Sequence, residues 1–271
     1  MALPDSSDLD LSQLMKAVLG VAEEASSAIL EVYREENLGV TYKADESPLT
    51  LADKRSHELI ENRLSLLTPA IPVVSEESET PSWEIRKHWQ DFWLIDPLDG
   101  TKEFVSRNGE FTVNIALLKN LKPVLGVMLA PALQIAYYAY HGGGAFKRNP
   151  HGDVQKIKVS DYRSGLVVAA SRSHDRDKMD ALLKTWGATQ VLNVGSALKM
   201  GLVAEGTAHV YPRMGPTMEW DTAAAHCILQ EAGGTLRLWD GSELRYNKAD
   251  LLNPGFVCFG NPAFPGVFHK M

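Results

Sequence analysis

The sequence predicts an α/β (α+β) fold, because apolar segments of strand length alternate with segments of helical periodicity along the chain. The 271 residues, 45% of them hydrophobic, are enough for one large domain or for two halves that share a site. No internal repeat or low-complexity segment interrupts this alternation. We therefore expect packed layers of helices and sheets.

The first half opens with two predicted helices. Residues 9–34 place Leu11, Leu14 and similar residues on one face at helical spacing, and residues 50–66 form the second helix. Apolar runs then predict strands at 71–75, 91–95, 111–118, 123–129 and 134–140. The glycine run at 141–146 predicts a hairpin turn, because it lacks the Gly-Lys-Ser/Thr ending of a phosphate loop.

A polar segment at residues 147–165 predicts a boundary, which we place between 1–155 and 156–271. In the second half, the helix ending near residue 232 is followed by Gly233-Gly234, a typical C-terminal stop. The predicted strands of this half are 166–171 and 208–213, and its predicted helices are 176–186, about 196–205, which the run 191–194 precedes, and 221–232.

Charge and cysteine content limit the possible partners and location. The formal net charge is −7, so nucleic acid is not an expected partner. The two cysteines, Cys227 and Cys258, lie in apolar surroundings, which indicates buried free thiols and a reducing compartment. The N-terminus lacks the pattern of a signal peptide, and no apolar run approaches membrane-spanning length. We expect a cytoplasmic protein, with peripheral attachment to the inner membrane and the oligomeric state left open.

Two aspartates, Asp96 and Asp99, flank Pro97 and Leu98 directly after a predicted buried strand. A tight turn at the proline would aim both carboxylates and the Leu98 carbonyl into one small volume. Carboxylates held that close repel each other, and a divalent cation with oxygen ligands, such as Mg²⁺, would compensate. Taken alone, the same residues also fit a surface turn.

Further carboxylates also fit either a metal site or an ordinary structural role. Glu76 and Glu77 follow a predicted strand and also fit a solvated acidic loop. Asp221 opens a predicted helix, where an N-cap is the simpler assignment, and Asp53 lies in a helix where it would also fit an exposed face. Each signal is weak singly, but together they predict a metal site.

Glu76-Glu77, the run DPLDGT at 96–101 and the run WDTAAA at 220–225 resemble the inositol monophosphatase superfamily of Mg²⁺-dependent, lithium-sensitive phosphomonoesterases. Segments 171–174, 195–199 and 251–256 are most similar to its bacterial 3′(2′),5′-bisphosphate nucleotidase branch. The chain departs from the family at Ala225, where glycine is frequent.

This resemblance implies a five-layer αβαβα sandwich with the site between the halves. It also implies hydrolysis of adenosine 3′,5′-bisphosphate to AMP and phosphate, a step linked to sulfate assimilation. Its sulfated analogue, 3′-phosphoadenosine 5′-phosphosulfate, is a second candidate substrate.

The resemblance also assigns roles to individual residues. Two to three Mg²⁺ ions would be held by Glu76, Asp96, the Leu98 carbonyl, Asp99 and Asp221. The catalytic residues would be Asp53, Glu76 and Thr101, with Asp53 hydrogen-bonded to the Thr101 hydroxyl. The substrate would be bound by Gly100, Thr101, His174, Ser196, Lys199 and Arg213.

The residues themselves place Ser196 at a helix start with Lys199 on the same face, a pairing suited to a phosphate. Arg172 is expected to pair with Asp175 or Asp177 on the surface and is left out of the site.

Two other functions remain open. The first is an inositol monophosphatase or sugar bisphosphatase on the same scaffold. The second is a catalytically silent sensor of Mg²⁺ and nucleotide. The presence of Thr101, Asp53 and Glu76 argues against the sensor, because a sensor needs metal ligands but no group that activates water.

Overall fold

The structure is a computed structural model that describes residues 9–42, 48–161, 164–172 and 176–260, and it confirms the predicted mixture of helices and sheets. The helices in these ranges are α1 (Leu11–Arg34), α2 (Leu51–Leu67), α3 (Trp83–Arg86), α4 (Thr101–Val105), α5 (Arg176–Trp186), α6 (Leu198–Ala204) and α7 (Glu219–Glu231).

The strands form two large sheets and two short pairs. The first sheet contains β3 (Val73–Ser75), β4 (Phe92–Asp99), β5 (Thr112–Lys119), β6 (Lys122–Ala130), β7 (Ile135–Tyr140), β8 (Gly144–Arg148) and β9 (Val154–Ile157). The second contains β10 (Leu166–Ala170), β11 (Ala188–Asn193), β12 (Val210–Arg213), β14 (Thr235–Leu238) and β16 (Phe256–Phe259). The short pairs are β1 (Thr41–Tyr42) with β2 (Pro48–Leu49), and β13 (Thr217–Met218) with β15 (Leu252–Asn253).

These elements stack as five layers in the predicted αβαβα order. Helices α1 and α2 cover one face of the first sheet, and α7 with α6 fills the space between the two sheets. Side chains of α5, including Leu183 and Trp186, pack on the outer face of the second sheet. The largest apolar cluster lies around α6 and α7, so these central helices join the two halves.

The topology brings strand ends to the junction of the halves. The first sheet runs in the order β3-β4-β5-β6-β7-β8-β9, with β3 and β4 parallel and the other neighbours antiparallel. The second sheet runs β11-β10-β12-β16-β14, and β10 is parallel to both β11 and β12. Ligands of open sheets commonly bind at the carboxyl ends of parallel strands.

Helix boundaries follow local capping chemistry. Asp10 caps α1 by accepting hydrogen bonds from the backbone of Ser12 and Gln13. Thr50 caps α2, and Asp53 completes a capping box with it. Both predicted helices are confirmed, with starts one or two residues later than the sequence indicated.

The predicted turn at Asp96-Pro97 is wrong. Strand β4 does not end at residue 95 but continues to Asp99, and its pairing with β5 shifts register between Asp96 and Asp99. This irregularity is a bulge, which tolerates a proline and re-aims the side chains around it. The Ser56 hydroxyl donates to the Pro97 carbonyl at 2.8 Å and ties the bulge to α2.

Two further predictions, both of helix starts, are corrected in the second half. Helix α6 begins at Leu198 and not at residue 196, because Ser196 has a left-handed φ of +47° that no helix accommodates. Helix α7 begins two residues earlier than predicted, at Glu219. The polar segment 147–165 contains β9, so the proposed boundary after residue 155 falls inside a strand of the first sheet.

The hairpin turn at 141–146 is confirmed between β7 and β8. No helix in the described ranges has the length and apolar character needed to cross a membrane.

Candidate active site

Three carboxylates from different elements converge at the junction. Glu76 directly follows β3, Asp96 lies in β4, and Asp221 lies in the first turn of α7. One oxygen of each carboxylate lies within 4.8 Å of the other two. Asp96 is fully buried, and the other two are partly buried. The three residues come from both halves of the chain, so folding of the whole molecule is needed to assemble them.

The electrostatics of this cluster call for a cation. Burial raises the pKa of Asp96 well above its ordinary range, and the carboxylates of Glu76 and Asp99 raise it further. Burial also raises the pKa of Asp221, and Asp99 adds to the effect. Like charges held together away from water are costly unless a positive group compensates. An all-oxygen donor set of carboxylates is the type that Mg²⁺ and similar divalent ions prefer, so the residues present fit such an ion.

Asp99 lines the same cavity but is held differently. Its Oδ2 accepts a hydrogen bond from the Ala197 backbone N–H at 2.6 Å and from the Thr112 hydroxyl at 3.4 Å. Burial raises the pKa of Asp99 to about 6, while the Lys199 ammonium opposes that rise. Asp99 therefore links the first half to the turn before α6.

The predicted hydrogen bond between Asp53 and Thr101 is confirmed. The Thr101 hydroxyl lies 3.2 Å from Asp53 Oδ1 and 3.4 Å from the Leu98 carbonyl oxygen. The backbone N–H and the hydroxyl of Thr50 both bond to Asp53 Oδ2. Asp53 is buried, which excludes the alternative of an exposed helix face, and burial raises its pKa.

Gly100 precedes α4 with a φ of +89°, a conformation that L side chains rarely adopt. Glu103 and Ser196 approach the position that a Cβ would take there, so a side chain would also be crowded. The chain can therefore pass close beneath a ligand at Gly100 and Thr101.

The wall contributed by the second half contains Ser196, Lys199 and Arg213. The Ser196 hydroxyl is buried and has no hydrogen-bond partner among the described residues. Lys199 is buried beside the Tyr211 ring and donates to the carbonyls of Val194 and Ser196, and its burial lowers its pKa to about 8. Arg213 donates to two carbonyls of its own loop, at Gly215 and Pro216.

Two neighbouring cavities join these walls. A cavity of about 400 Å³ is lined by Glu76, Asp96, Leu98, Thr101 and other residues. A cavity of about 170 Å³ is lined by Ser196, Lys199 and other residues of the second half. Both cavities are also lined by Asp99, Gly100, Glu103, Arg213 and Asp221. His174 lies outside the described residues, so the structure does not place it.

Arg172, which the sequence analysis left out of the site, lies at its edge. Arg172 forms an ion pair with Glu110 of the first half and lines the smaller cavity. The side chains of its expected partners, Asp175 and Asp177, are outside the described part of the structure, so that pairing stays a prediction. Glu110 was missed in the sequence, where it stands in no motif and nothing in the local pattern links it to Arg172.

A buried polar network fixes the helix that carries Asp221. Glu219 is fully buried and accepts hydrogen bonds from the backbone of Asn247 and from Lys248. The Asn253 amide donates to the Met218 carbonyl and the Thr222 hydroxyl. Asp221 itself accepts a hydrogen bond from the Met218 N–H at 2.8 Å. The first turn of α7 is thereby anchored to the segment 247–253.

Comparison with known proteins gives consistent results. The sequence model of the inositol monophosphatase family matches residues 10–263. The chain is 49% identical to the 3′(2′),5′-bisphosphate nucleotidase CysQ of Salmonella typhimurium over 245 residues, which cover 90% of this chain and 98% of the relative.

Solved structures extend the comparison. The crystal structure of CysQ from Bacteroides thetaiotaomicron superimposes with a TM-score of 0.80 at 38% identity, and the match covers 92% of this chain and 97% of the other. The inositol monophosphatase from Anabaena matches with a TM-score of 0.76 at 24% identity, covering 96% and 95% of the two chains. At that identity the likeness shows the fold alone.

Proposed function

The chain belongs to the inositol monophosphatase family, and we propose that it is a Mg²⁺-dependent nucleotidase that hydrolyses adenosine 3′,5′-bisphosphate to AMP and phosphate. The observation that carries this proposal is the carboxylate cluster of Glu76, Asp96 and Asp221, which opens into a cavity lined by Ser196 and Lys199. Relatives of the CysQ type, aligned over nearly their whole length, support the choice of substrate.

The acidic cluster would hold the metal. We assign Glu76, Asp96, Asp221, Asp99 and the Leu98 carbonyl as ligands for two to three Mg²⁺ ions. When bound, such ions neutralise phosphate oxygens and activate water as a nucleophile. The like-charge repulsion among the buried carboxylates supports this assignment, because bound cations would remove it.

Thr101 and Asp53 would position the attacking water. Asp53 accepts the hydrogen bond of the Thr101 hydroxyl, which leaves the lone pairs of that oxygen available to a water molecule. The two hydrogen bonds from Thr50 hold Asp53 in this orientation. Glu76 would assist from the other side of the water, and the backbone of Gly100 and Thr101 would contact the phosphate.

The wall of the second half would bind the rest of the nucleotide. The Ser196 hydroxyl is buried without a partner, so a ligand oxygen there would satisfy it. Lys199 supplies positive charge to the same cavity, and Arg213 lines both cavities. His174 stays a predicted contact. We assign metal binding mainly to the first half and substrate recognition mainly to the second.

The cellular context is part of the same proposal. Cys227 and Cys258 are free and buried, which fits a reducing, cytoplasmic location. Attachment to a membrane surface is not part of the proposal. Hydrolysis of the sulfated nucleotide and inhibition by lithium stay predictions.

The test is phosphate release from adenosine 3′,5′-bisphosphate and from inositol 1-phosphate at equal concentration, with Mg²⁺ and with a chelator. We expect Mg²⁺-dependent release with a strong preference for the nucleotide. Preference for the inositol ester would keep the metal site and reject the substrate assignment. Tight nucleotide binding without any phosphate release, even in a single turnover, would favour the silent sensor.

A further inference from the structure

Arg172 stands where a nucleotide would extend away from the carboxylate cluster. It follows β10 by two residues, at the carboxyl end of the parallel strands β10 and β11. Its side chain is 50% exposed and lines both the 170 Å³ cavity and an adjoining cavity of about 470 Å³. The smaller cavity is also lined by Asp99 and Asp221, so a ligand that fills it contacts both the carboxylates and Arg172.

Glu110 holds this guanidinium in one orientation. Arg172 donates from Nε to Glu110 Oε2 at 2.9 Å and from Nη2 to Oε1 at 2.5 Å. A two-point contact of this kind fixes the plane of the guanidinium as well as its position. The hydrogen bonds from Arg172 lower the pKa of Glu110, so the pair stays ionised at neutral pH.

The other two cationic side chains of the smaller cavity have a different kind of hydrogen-bond acceptor. Lys199 and Arg213 donate to backbone carbonyls of their own loops. By contrast, no acceptor in the described part of the chain receives a hydrogen bond from Arg172 Nη1. Arg172 therefore has both a fixed orientation and a donor edge left for a ligand.

We propose that Arg172, oriented by Glu110, binds the phosphate of the bisphosphorylated nucleotide that is not hydrolysed. The inference rests on the proposed function, since only a substrate with a second phosphate makes use of this contact. A guanidinium matches a phosphate with two parallel hydrogen bonds, which an ammonium cannot reproduce. The contact selects nucleoside bisphosphates over monophosphate esters.

Glu110 is a positioning residue for this recognition, because it also holds the neighbouring turn. Its Oε2 accepts a hydrogen bond from the Gly195 backbone N–H at 2.8 Å. A Cβ at position 195 would lie 2.8 Å from the Glu110 carbonyl oxygen, so the turn before Ser196 packs directly on Glu110. One carboxylate of the first half thus orients two parts of the binding wall in the second.

The test compares adenosine 3′,5′-bisphosphate with adenosine 3′-monophosphate, which share the base and the scissile ester and differ in the second phosphate. We expect Arg172→Met to lower kcat/KM for the bisphosphate by about tenfold to a hundredfold, mainly through KM. The value for the monophosphate should change by less than about twofold, since the lost hydrogen bond is absent there. Calorimetric affinity for AMP, which retains that phosphate, should fall in parallel, while affinity for adenosine should not.

Two further variants separate recognition from folding. Glu110→Gln should raise KM for the bisphosphate several-fold and leave kcat and the melting temperature unchanged, whereas a structural role would lower the melting temperature and the turnover of both substrates. Arg172→Lys should restore only part of the loss. Arg63→Met is the matched control, because Arg63 of α2 is as exposed as Arg172 and also contacts one carboxylate, Glu24 of α1, from Nε and Nη2.

The outcomes are distinguishable. If Arg172→Met discriminates between the two nucleotides as the wild type does, this inference is overturned and the proposed function stands. If the wild type releases phosphate from neither nucleotide, the proposed function fails and the inference fails with it.

Discussion

The candidate site has two walls, one from each half of the chain, and their charged side chains differ in sign and in hydrogen-bond partners. In the first half, two buried carboxylates are held from within that half: Asp53 by Thr50 and Thr101, and Asp96 by the Leu98 N–H. In the second half, Lys199 and Arg213 are turned toward carbonyls of their own loops. The first wall has these carboxylates fixed in place, and the repulsion of Asp96 by Glu76 and Asp99 favours a cation among them.

Hydrogen bonds to two carboxylates of the first half connect the two walls. Asp99 accepts from the Ala197 N–H, and Glu110 accepts from the Gly195 N–H and from Arg172. The binding wall of the second half is therefore ordered by the first. Chemistry and recognition should respond separately to mutation, and the following predictions use that difference.

The largest effect is expected at the first wall. Asp96→Asn removes one carboxylate from the cluster and should lower kcat by about a thousandfold or more, because metal stabilisation of the transition state is worth several kcal/mol. Without metal, the variant should melt at a higher temperature than the wild type, since burial and like charges penalise the Asp96 carboxylate. Steady-state kinetics measures the expected fall in kcat, and thermal melting without metal measures the expected rise in melting temperature.

Asp240→Asn is the control for this variant, because Asp240 is exposed and accepts a hydrogen bond within its own turn, from Ser242. Full Mg²⁺-dependent activity in Asp96→Asn would remove Asp96 from the metal centre.

The next effect concerns the packing of α7, the helix that carries Asp221, against β6 of the first sheet. In Gly126→Ala, the new Cβ would lie 2.3 Å from the Ala224 carbonyl oxygen, so β6 and α7 must separate. We expect a loss of about 1–3 kcal/mol in the free energy of unfolding, together with reduced activity. Chemical denaturation measures the first and phosphate release the second.

Gly20→Ala provides the matched control, because Gly20 lies in α1 with no atom within 4 Å of its added Cβ. That variant should be as stable as the wild type or slightly more stable. Equal stability of the Gly126 and Gly20 variants would contradict the close packing of α7 on the sheet.

The smallest effect is a pH dependence at the second wall. Burial lowers the pKa of Lys199 to about 8, so the side chain is charged below that pH and neutral above it. Therefore kcat/KM for the bisphosphate should fall as pH rises through about 8, by up to about tenfold per pH unit. Lys199→Met should abolish this limb of the profile.

Lys199 also links pH to stability. Its folded pKa lies below the ordinary value of 10.5, so the unfolded chain binds the proton more tightly. The contribution of Lys199 to the free energy of unfolding should therefore rise between pH 8 and 10.5.

For the kinetic prediction, a profile of kcat/KM that is flat through pH 8 would show that the charge on Lys199 does not assist binding.

The same contrast explains what the sequence could predict. Asp96, Asp99, Glu76 and Asp221 were recognisable because they stand in short motifs, directly after apolar runs or at the start of a predicted helix. The mixture of helices and strands followed from local pattern as well, whereas the order of the layers came from the family resemblance.

Other features depend on tertiary contacts and had no local signal. The bulge at Pro97 and the left-handed Ser196 are backbone conformations that other segments hold in place, through Ser56 for Pro97 and through Ala197 and Asp99 for Ser196. The pair of Glu110 with Arg172 joins residues 62 positions apart. The predicted turn and the predicted helix start failed at these points for that reason.

The central claim is that carboxylates from both halves form one catalytic metal centre. The most direct measurement is single-turnover phosphate release from adenosine 3′,5′-bisphosphate over a Mg²⁺ titration, for the wild type and Asp221→Asn. Asparagine keeps an oxygen for the Met218 N–H, so the helix start is retained. We predict that the variant needs at least about tenfold more Mg²⁺ or releases no phosphate. A Mg²⁺ dependence identical to that of the wild type would contradict the claim.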